Sequence, residues 1–192
     1  MKLTKLVLGT VVASTLSLSN SVFAADKPID QGHGKVNFHG FIIDAPCSIS
    51  PESVDQTVEL GQIATATLKQ NGAKGESSAQ TFQIELVDCD LSYFDDKDDA
   101  KSTVNLKFTG STIDGDDSTL AITGQAKGAG VRIMDKDNSK LIRFGETTNS
   151  AYKLQDGQNS LQFAAYVRGL GKADAIVPGE FFAVTNFTLT YE

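Results

Sequence analysis

Short stretches in which apolar and polar residues alternate recur along the chain, and this pattern constrains the fold more than any other feature of the sequence. Phe82, Ile84 and Leu86 occupy every second position of one stretch, and 104–108 repeats the pattern with valine, leucine and phenylalanine. A period of two places alternate side chains on opposite faces of a strand. Each such stretch therefore predicts a β-strand that contributes one apolar face to a core.

The predicted strands cover 35–49, 57–62, 80–88, 103–110, 120–123, 131–135, 140–144, 161–168 and 181–191. Between them lie dipeptides typical of turns, which are Asn71-Gly72, Asp114-Gly115, Asp137-Asn138 and Asp156-Gly157. Only 63–70 has a helical pattern, in which Leu68 is the apolar anchor of one short turn. Many short strands separated by turns indicate an all-β fold of the sandwich type.

Residues 1–24 have the features of a secretory signal peptide. Lys2 and Lys5 form a basic start, 6–18 is mostly apolar, and 22–24 ends in the small residue Ala24. The apolar run is too short and too weakly apolar for a membrane-spanning helix. We therefore expect cleavage after Ala24, an N-terminal extension over 25–43 and a single domain over 44–192.

The charge and the motifs of the chain argue against several classes of function. The formal net charge is −7, which makes the protein a poor partner for nucleic acid. The sequence lacks the motifs of serine hydrolases and zinc proteases, and its two histidines, His33 and His39, have no further ligands nearby. The acidic run at 95–99 is typical of a solvated loop. We expect no enzymatic activity, cofactor or metal ion.

One stretch imitates a calcium-binding loop. Positions 1, 3, 5, 8 and 12 of an EF-hand loop are matched by Asp135, Asp137, Ser139, Ile142 and Glu146. The position that requires glycine for its sharp turn holds Lys140, and the flanks have strand and loop patterns where an EF-hand has helices. The sequence instead predicts a hairpin turn over 135–139, with Asn138 in a left-handed conformation.

Cys47 and Cys89 are the only cysteines of the chain. An even number of cysteines in an exported protein predicts a disulfide. Closing a loop of this length stabilises a fold by about 4 kcal/mol in the chain-entropy model. A reactive thiol pair is the alternative, but the sequence has neither the C-x-x-C spacing nor a histidine close by.

The first and last predicted strands both have features of strands that pair with another molecule. In the first, the apolar side chains of Val36, Phe38 and Ile42 share one face with Gly40, and the other face begins with Lys35, Asn37 and His39. In the last, one face carries Phe187, Leu189 and Tyr191. The sequence stops one residue after Tyr191, so we interpret this strand as one that needs a neighbour. We interpret the first strand as a neighbour offered to another molecule.

These two strands lie in segments that resemble a known family. The segment 34–40, followed by 44–49, resembles the start of chaperone–usher pilins and is most similar to the major rod subunits of P pili and type 1 fimbriae. Further similar positions are 55–58, the pair Leu60-Gly61, the segment 88–90 around the second cysteine, Gly179 and the penultimate Tyr191. The resemblance covers the whole chain after the signal peptide.

The resemblance implies an incomplete immunoglobulin-like sandwich that lacks its seventh strand. In this family a periplasmic chaperone fills the gap, and the N-terminal extension of the next subunit replaces the chaperone at an outer-membrane usher. The implied donor residues are Val36, Phe38, Gly40 and Ile42. The implied acceptor and chaperone-recognition residues are Gly179, Phe187, Leu189 and Tyr191. The product would be a fimbria on the surface of a Gram-negative bacterium that supports adhesion.

Three other functions stay open at this level. A tip adhesin would need an additional receptor-binding domain in front, for which 25–192 has little room. A minor adaptor or a terminator subunit is the second. The N-terminal extension has a complete donor pattern, so a terminator would need a defective groove, which the sequence does not specify. A secreted binding domain with a closed sandwich, finally, would supply the seventh strand from its own chain.

Overall fold

The structure is a computed structural model, and it describes residues 32–93, 102–137, 139–148 and 151–192. The predicted signal peptide, the acidic run at 95–99 and Asn138 lie outside these ranges. The chain divides into two units, Met1–Phe41 and Ile42–Glu192, and every described strand belongs to the second. No helix in the described ranges combines the length and the apolar character needed to cross a membrane.

The described residues form short helices and many strands. The strands are β1 (Ser48–Ile49), β2 (Gln80–Cys89), β3 (Thr103–Gly110), β4 (Thr112–Ile113), β5 (Asp116–Ala121), β6 (Thr123–Gly124), β7 (Ala129–Asp135), β8 (Lys140–Leu141), β9 (Tyr152–Lys153), β10 (Gly157–Gly169), β11 (Phe181–Phe182) and β12 (Thr185–Tyr191). The helices are α1 (Pro51–Val54), α2 (Thr65–Leu68) and α3 (Gln70–Ala73), with 3-10 turns at Leu91–Tyr93 and Ala173–Ala175. The all-β prediction is confirmed.

The strands form two main antiparallel sheets. The larger has the order β1-β2-β10-β7-β5-β4, with β8 paired to β7, and the smaller has the order β12-β3-β9. A further pair joins β11 to β6. Residues of β2, β3 and β12 alternate between more and less buried positions, and antiparallel pairing places these rows side by side.

The core lies between the two main sheets. Ile84 and Leu86 of β2 are fully buried, as are Val104 and Leu106 of β3, so the predicted apolar faces of both strands are confirmed. Phe163 of β10 connects the sheets through an edge-to-face contact with the Phe108 ring, whose centroid lies 5.2 Å away. These contacts join both sheets in one core cluster.

Two predicted strands are largely absent from the ladders. Of 35–49 only Ser48–Ile49 forms a strand, and 57–62 belongs to no ladder although Val58 and Leu60 are partly buried. The segment 56–59 is separated from 80–83 of β2 by an open cleft of about 570 Å³. An alternating sequence predicts which side chains can be buried, but a strand also needs a ladder partner. Within the described chain, 57–62 and the part of 35–49 before Ser48 have none.

Smaller corrections concern the ends of the elements. The predicted strand 120–123 is replaced by β5 and β6, and 140–144 shortens to β8. The last predicted strand divides into β11 and β12, which pair with different strands, while the alternation of burial continues unbroken from 181 to 191. Helix α1 was not predicted; proline stands at its first position, where the missing N–H costs nothing. The predicted helical turn around Leu68 is confirmed by α2, and Leu68 is buried.

The predicted hairpin at 135–139 is confirmed, since β7 pairs with β8 and Asp135 lies opposite Lys140. Asn138 lies outside the described residues, and Ser139 has a left-handed conformation with φ of 52°. The first candidate calcium ligand, Asp135, is buried, and its carboxylate accepts a hydrogen bond of 2.6 Å from the hydroxyl of Tyr152. This carboxylate is therefore part of the core.

Candidate functional site

A disulfide fixes the end of the N-terminal segment to the sandwich. Cys47 and Cys89 are bonded to each other and buried, which confirms the predicted pairing. Cys89 is the last residue of β2, and Cys47 directly precedes β1. The position at which the N-terminal segment meets the domain is thus covalently tied to the end of β2 in the larger sheet.

β12 forms one edge of the smaller sheet. It pairs with β3 in antiparallel register, Phe187 opposite Phe108 and Tyr191 opposite Val104. Glu192 and Thr103 exchange two backbone hydrogen bonds, of 3.0 and 3.1 Å. In an antiparallel pair such doubly bonded positions alternate with non-bonded ones. The even-numbered residues of β12 therefore direct their backbone groups at β3, and the odd-numbered residues direct theirs away from it.

The opposite edge of β3 is already covered. The backbone N–H groups of Gly145 and Thr148 donate to the carbonyls of Phe108 and Leu106, each at 2.7 Å, and β9 pairs with the start of β3. β3 is thus a central strand and β12 is an edge. The outward-directed backbone groups of Phe187 and its odd-numbered neighbours belong to no ladder among the described residues.

The side chains of the same odd-numbered residues form an incompletely covered apolar row. Phe187, Leu189 and Tyr191 are partly buried against the core, whereas Thr188 and Thr190 on the other face are exposed. Burial also raises the pKa of the Tyr191 hydroxyl above its ordinary value. An edge whose outward backbone groups have no ladder partner in the described ranges, beside a half-covered apolar row, is a surface on which a further strand can add.

The predicted donor segment has no secondary structure in the described chain. Phe38 is 92% exposed, and Val36 and Ile42 are exposed as well. A Cβ atom added at Gly40 would meet no atom within 4 Å. Exposure of several large apolar side chains on a segment without secondary structure is unfavourable in water and is typical of a surface that binds a partner.

Gly179 occupies a tightly packed position close to the β11–β6 pair. A Cβ atom there would lie 2.7 Å from Cβ of Gln125 and 2.9 Å from the backbone nitrogen of Ala126. The backbone carbonyl of the next residue, Glu180, accepts hydrogen bonds from the backbone N–H groups of Gln125 and Ala126. Gly179 is therefore required by backbone packing at this point, and its part in the acceptor site stays a prediction.

Two exposed apolar residues next to β12 were missed by the sequence analysis, and so were two in the N-terminal segment. They are Phe182, Val184, Phe41 and Ile43. All four sit at positions that the alternating pattern assigns to outward faces, where polar residues are expected. The signal that could have identified them is the apolar run at 41–43, together with 181–184, in which alternation is lost.

A cluster of hydrogen-bonded polar side chains joins β5 to β7. Arg132 donates to the Asp116 carboxylate at 3.0 Å and to the Thr119 hydroxyl at 2.8 Å. Burial by itself would raise the pKa of Asp116, but hydrogen bonds from Ser118, Thr119 and Arg132 outweigh it and hold that pKa below its ordinary value. All of these groups are engaged with one another, which fits a structural cross-link between strands.

Comparison with known proteins supports the resemblance to pilins that the sequence indicates. The profile of the "Fimbrial protein" family matches residues 36–192. The chain is 45% identical to the Fimbria A protein of Serratia marcescens over 193 aligned positions, which cover all of both chains. The family match thus covers the predicted donor residues from Val36 onward and the whole sandwich.

Solved structures show the same fold. One of them is a chaperone–usher pilus structure described as revealing the molecular basis of rod uncoiling. It has a TM-score of 0.75 and 38% sequence identity, and the match covers 86% of this chain and 99% of the other. The P pilus rod subunit PapA has a TM-score of 0.68 and 36% identity, covering 77% of this chain and all of its own. These matches confirm the predicted similarity to the immunoglobulin-like sandwich of pilins. The chain belongs to the fimbrial protein family and is a structural subunit of a pilus.

Proposed function

We propose that this pilin polymerises by donor-strand exchange, in which the N-terminal segment of one subunit adds as a strand to the outer edge of β12 in the next. The observation that carries the proposal is the edge itself, with outward-directed backbone groups and the partly covered row of Phe187, Leu189 and Tyr191. Strand addition to an exposed edge is an established mode of recognition in pilins.

The chemistry of the two surfaces supports this pairing. The donor row consists of Val36, Phe38 and Ile42 with Gly40 between them, so three apolar side chains would enter the apolar face. Burying each is worth about 1.5–3 kcal/mol. Each backbone hydrogen bond adds about 0.5–1.5 kcal/mol. Both contributions favour a joint between subunits that needs no covalent bond, and they must exceed the entropy cost of ordering the segment.

The exposed edge of β12 also implies a chaperone and an usher as partners. Before assembly an uncovered β12 would expose both its backbone groups and its apolar row, and so a periplasmic chaperone that lends a strand is required. Replacement of that strand by the next subunit takes place at an outer-membrane usher. The assembled fimbria lies on the surface of a Gram-negative bacterium and supports adhesion.

A subunit that carries its own donor strand tests the proposal. Residues 25–43 are deleted, and a copy of 35–44 is attached after Glu192 through a flexible linker. We expect a monomer in size-exclusion chromatography that unfolds cooperatively. The matched control replaces Phe38 by Asp in the attached copy and should aggregate or unfold at a much lower temperature.

The unmodified mature subunit provides the second comparison. Purified without a partner, it should self-associate or unfold at a low temperature. The proposal would be refuted by an unmodified monomer that refolds alone and melts as high as the subunit with the attached strand.

A further inference from the structure

The N-terminal segment and the start of β12 each carry a second pair of exposed apolar side chains that donor-row insertion leaves unused. In the segment these are Phe41 and Ile43, which are 84% and 55% exposed. Beside β12 they are Phe182 and Val184, which are 58% and 74% exposed. Insertion of the donor row beside β12 would leave all four of these large apolar side chains uncovered, which is unfavourable in water.

The two pairs lie on matching faces. The alternation of burial from 181 to 191 places Phe182 and Val184 on the outward face with Thr188 and Thr190. In an extended segment that turns Phe38 and Ile42 inward, Phe41 and Ile43 turn outward. Both pairs would therefore lie on the solvent side of the joint.

Direction and register decide whether these pairs meet. With the segment antiparallel to β12 and Phe38 opposite Phe187, residue 41 lies opposite Val184 and residue 43 opposite Phe182. On the inward face the same register places Val36 opposite Leu189. Moving the segment by two residues either way leaves only one of the two outward apolar pairs.

A parallel arrangement does not fit the pattern. If Phe38 lies near Phe187 in parallel orientation, Phe41 falls near Thr190 and Ile43 near the charged Glu192. If instead the outward apolar pairs are matched in parallel, residues 36–38 extend beyond the start of β11 and leave the β12 row uncovered. Only the antiparallel register uses the apolar residues of both faces.

We propose that Phe41 and Ile43 of one subunit pack on Val184 and Phe182 of the next, as an apolar clasp on the outer face of the exchanged strand. The inference rests on the proposed function and adds a second recognition element, which sets the direction and register of the donor strand. The partner is a second copy of this chain.

The backbone geometry of β12 agrees with this arrangement. Its odd-numbered residues direct their hydrogen-bonding groups outward, so they form the bonded pairs with the donor. Val184, being even-numbered, then stands opposite Phe41 in a non-bonded pair. In such pairs the Cα atoms are about 4.5 Å apart and the side chains approach closely. Apolar cross-strand pairs are most effective at these positions.

A cysteine pair tests the clasp in fibres. A chain that carries both Phe41→Cys and Val184→Cys should give covalent oligomers when sheared fibres are boiled without reductant, because neighbouring subunits bring the two thiols together. The control chain, with Phe41→Cys and Thr190→Cys, probes the same outward face in the reversed direction and should give monomers. A ladder from the control, or none from the first chain, would overturn the proposal.

Threonine variants provide a measurement that does not depend on the cysteines. Fibres of Phe41→Thr and of Val184→Thr should each dissociate at lower guanidinium concentration than the unmodified fibre. Fibres of the double variant should dissociate at about the same guanidinium concentration as those of the less stable single variant, because the two residues contact each other. Losses that add fully would contradict the clasp.

Failure of the clasp and failure of donor-strand exchange give different results. If deletion of 25–43 leaves fibre formation intact, strand exchange is wrong and the clasp falls with it. If fibres require that segment but show neither the cross-link nor the coupling, only the clasp is wrong.

Discussion

Tyr152 and Asp135 form a buried hydrogen bond of 2.6 Å that joins the two sheets of the sandwich. Tyr152 begins β9 in the smaller sheet, and Asp135 ends β7 in the larger one. Phe163 packs against the same tyrosine ring, with its centroid 6.3 Å away. The Asp135 carboxylate, which stands first in the EF-hand-like sequence, thus links the two sheets.

Removing this hydroxyl should destabilise the sandwich. Tyr152→Phe keeps the ring contact but takes one donor from a buried carboxylate, which typically costs about 1–3 kcal/mol. The free energy of unfolding should be measured in urea on the subunit with the attached donor strand, so that the edge of β12 is covered in both proteins. An unchanged value would show that the bond contributes nothing to stability.

Acid should weaken the link between β5 and β7. The pKa of Asp116 lies below its ordinary value of 3.8, so its ionised form is favoured in the folded state. A depressed pKa contributes stability above the unfolded pKa, and this contribution is lost as the pH falls below about 4. Urea midpoints between pH 7 and pH 3 should therefore decline less steeply in Asp116→Asn. The exposed Asp174→Asn serves as control and should follow the unmodified protein.

Chaperone binding should depend on the inward face of β12. Tyr191→Ala removes a partly buried ring from the apolar row, whereas Thr190→Ala changes an exposed residue next to it. We expect the tyrosine variant to reduce the amount of subunit that copurifies with the chaperone far more than the threonine variant. Equal losses would show that the polarity of the two faces does not determine recognition.

Gly40 should control polymerisation without controlling folding. Within the subunit a Cβ atom at this position meets nothing, so Gly40→Leu should accumulate normally with the chaperone. In the register proposed above Gly40 lies opposite Thr185, which pairs with Gly110 on its other side. A Cβ atom at Gly110 would lie 2.7 Å from the buried Leu120, so the core approaches the strands closely there. Overpacking such a site costs about 1–3 kcal/mol.

The measurement for Gly40 compares two preparations from each strain, the periplasmic complex and the sheared fibres. Gly40→Leu should give normal complex and few or short fibres, and Asn37→Leu on the opposite face should be milder. Fibres of normal length from Gly40→Leu would mean that the glycine is only a spacer and that the donor face is assigned wrongly.

The sequence predicted the strands well where both a strong alternation and a partner in the same chain exist. The predicted 103–110 matches β3 in full, and 80–88 differs from β2 by a single residue. The predictions failed at 57–62 and in the part of 35–49 before Ser48, because these residues have the pattern but no ladder partner in the described chain. Alternation specifies a face, and the partner completes the strand.

The candidate site was predicted in part. The apolar row of β12 followed from its period of two, but its position as an edge depends on β3 being covered at 145–148, which no local pattern indicates. Val184 and Phe182 were missed because single exposed apolar residues are common on protein surfaces. They became informative only when the structure showed which face they share.

The disulfide also determines how a pulled fibre would carry load. If subunits are joined by the proposed donor strand, tension from that strand would reach the sandwich at Cys47, and the disulfide would pass it directly to the end of β2. The stretch from β1 to α3, with its short helices and open cleft, is bypassed. Force then spreads across the ladder between β2 and β10, the longest strand of the larger sheet. A fibre under flow would accordingly yield at its non-covalent joints while each sandwich keeps its shape.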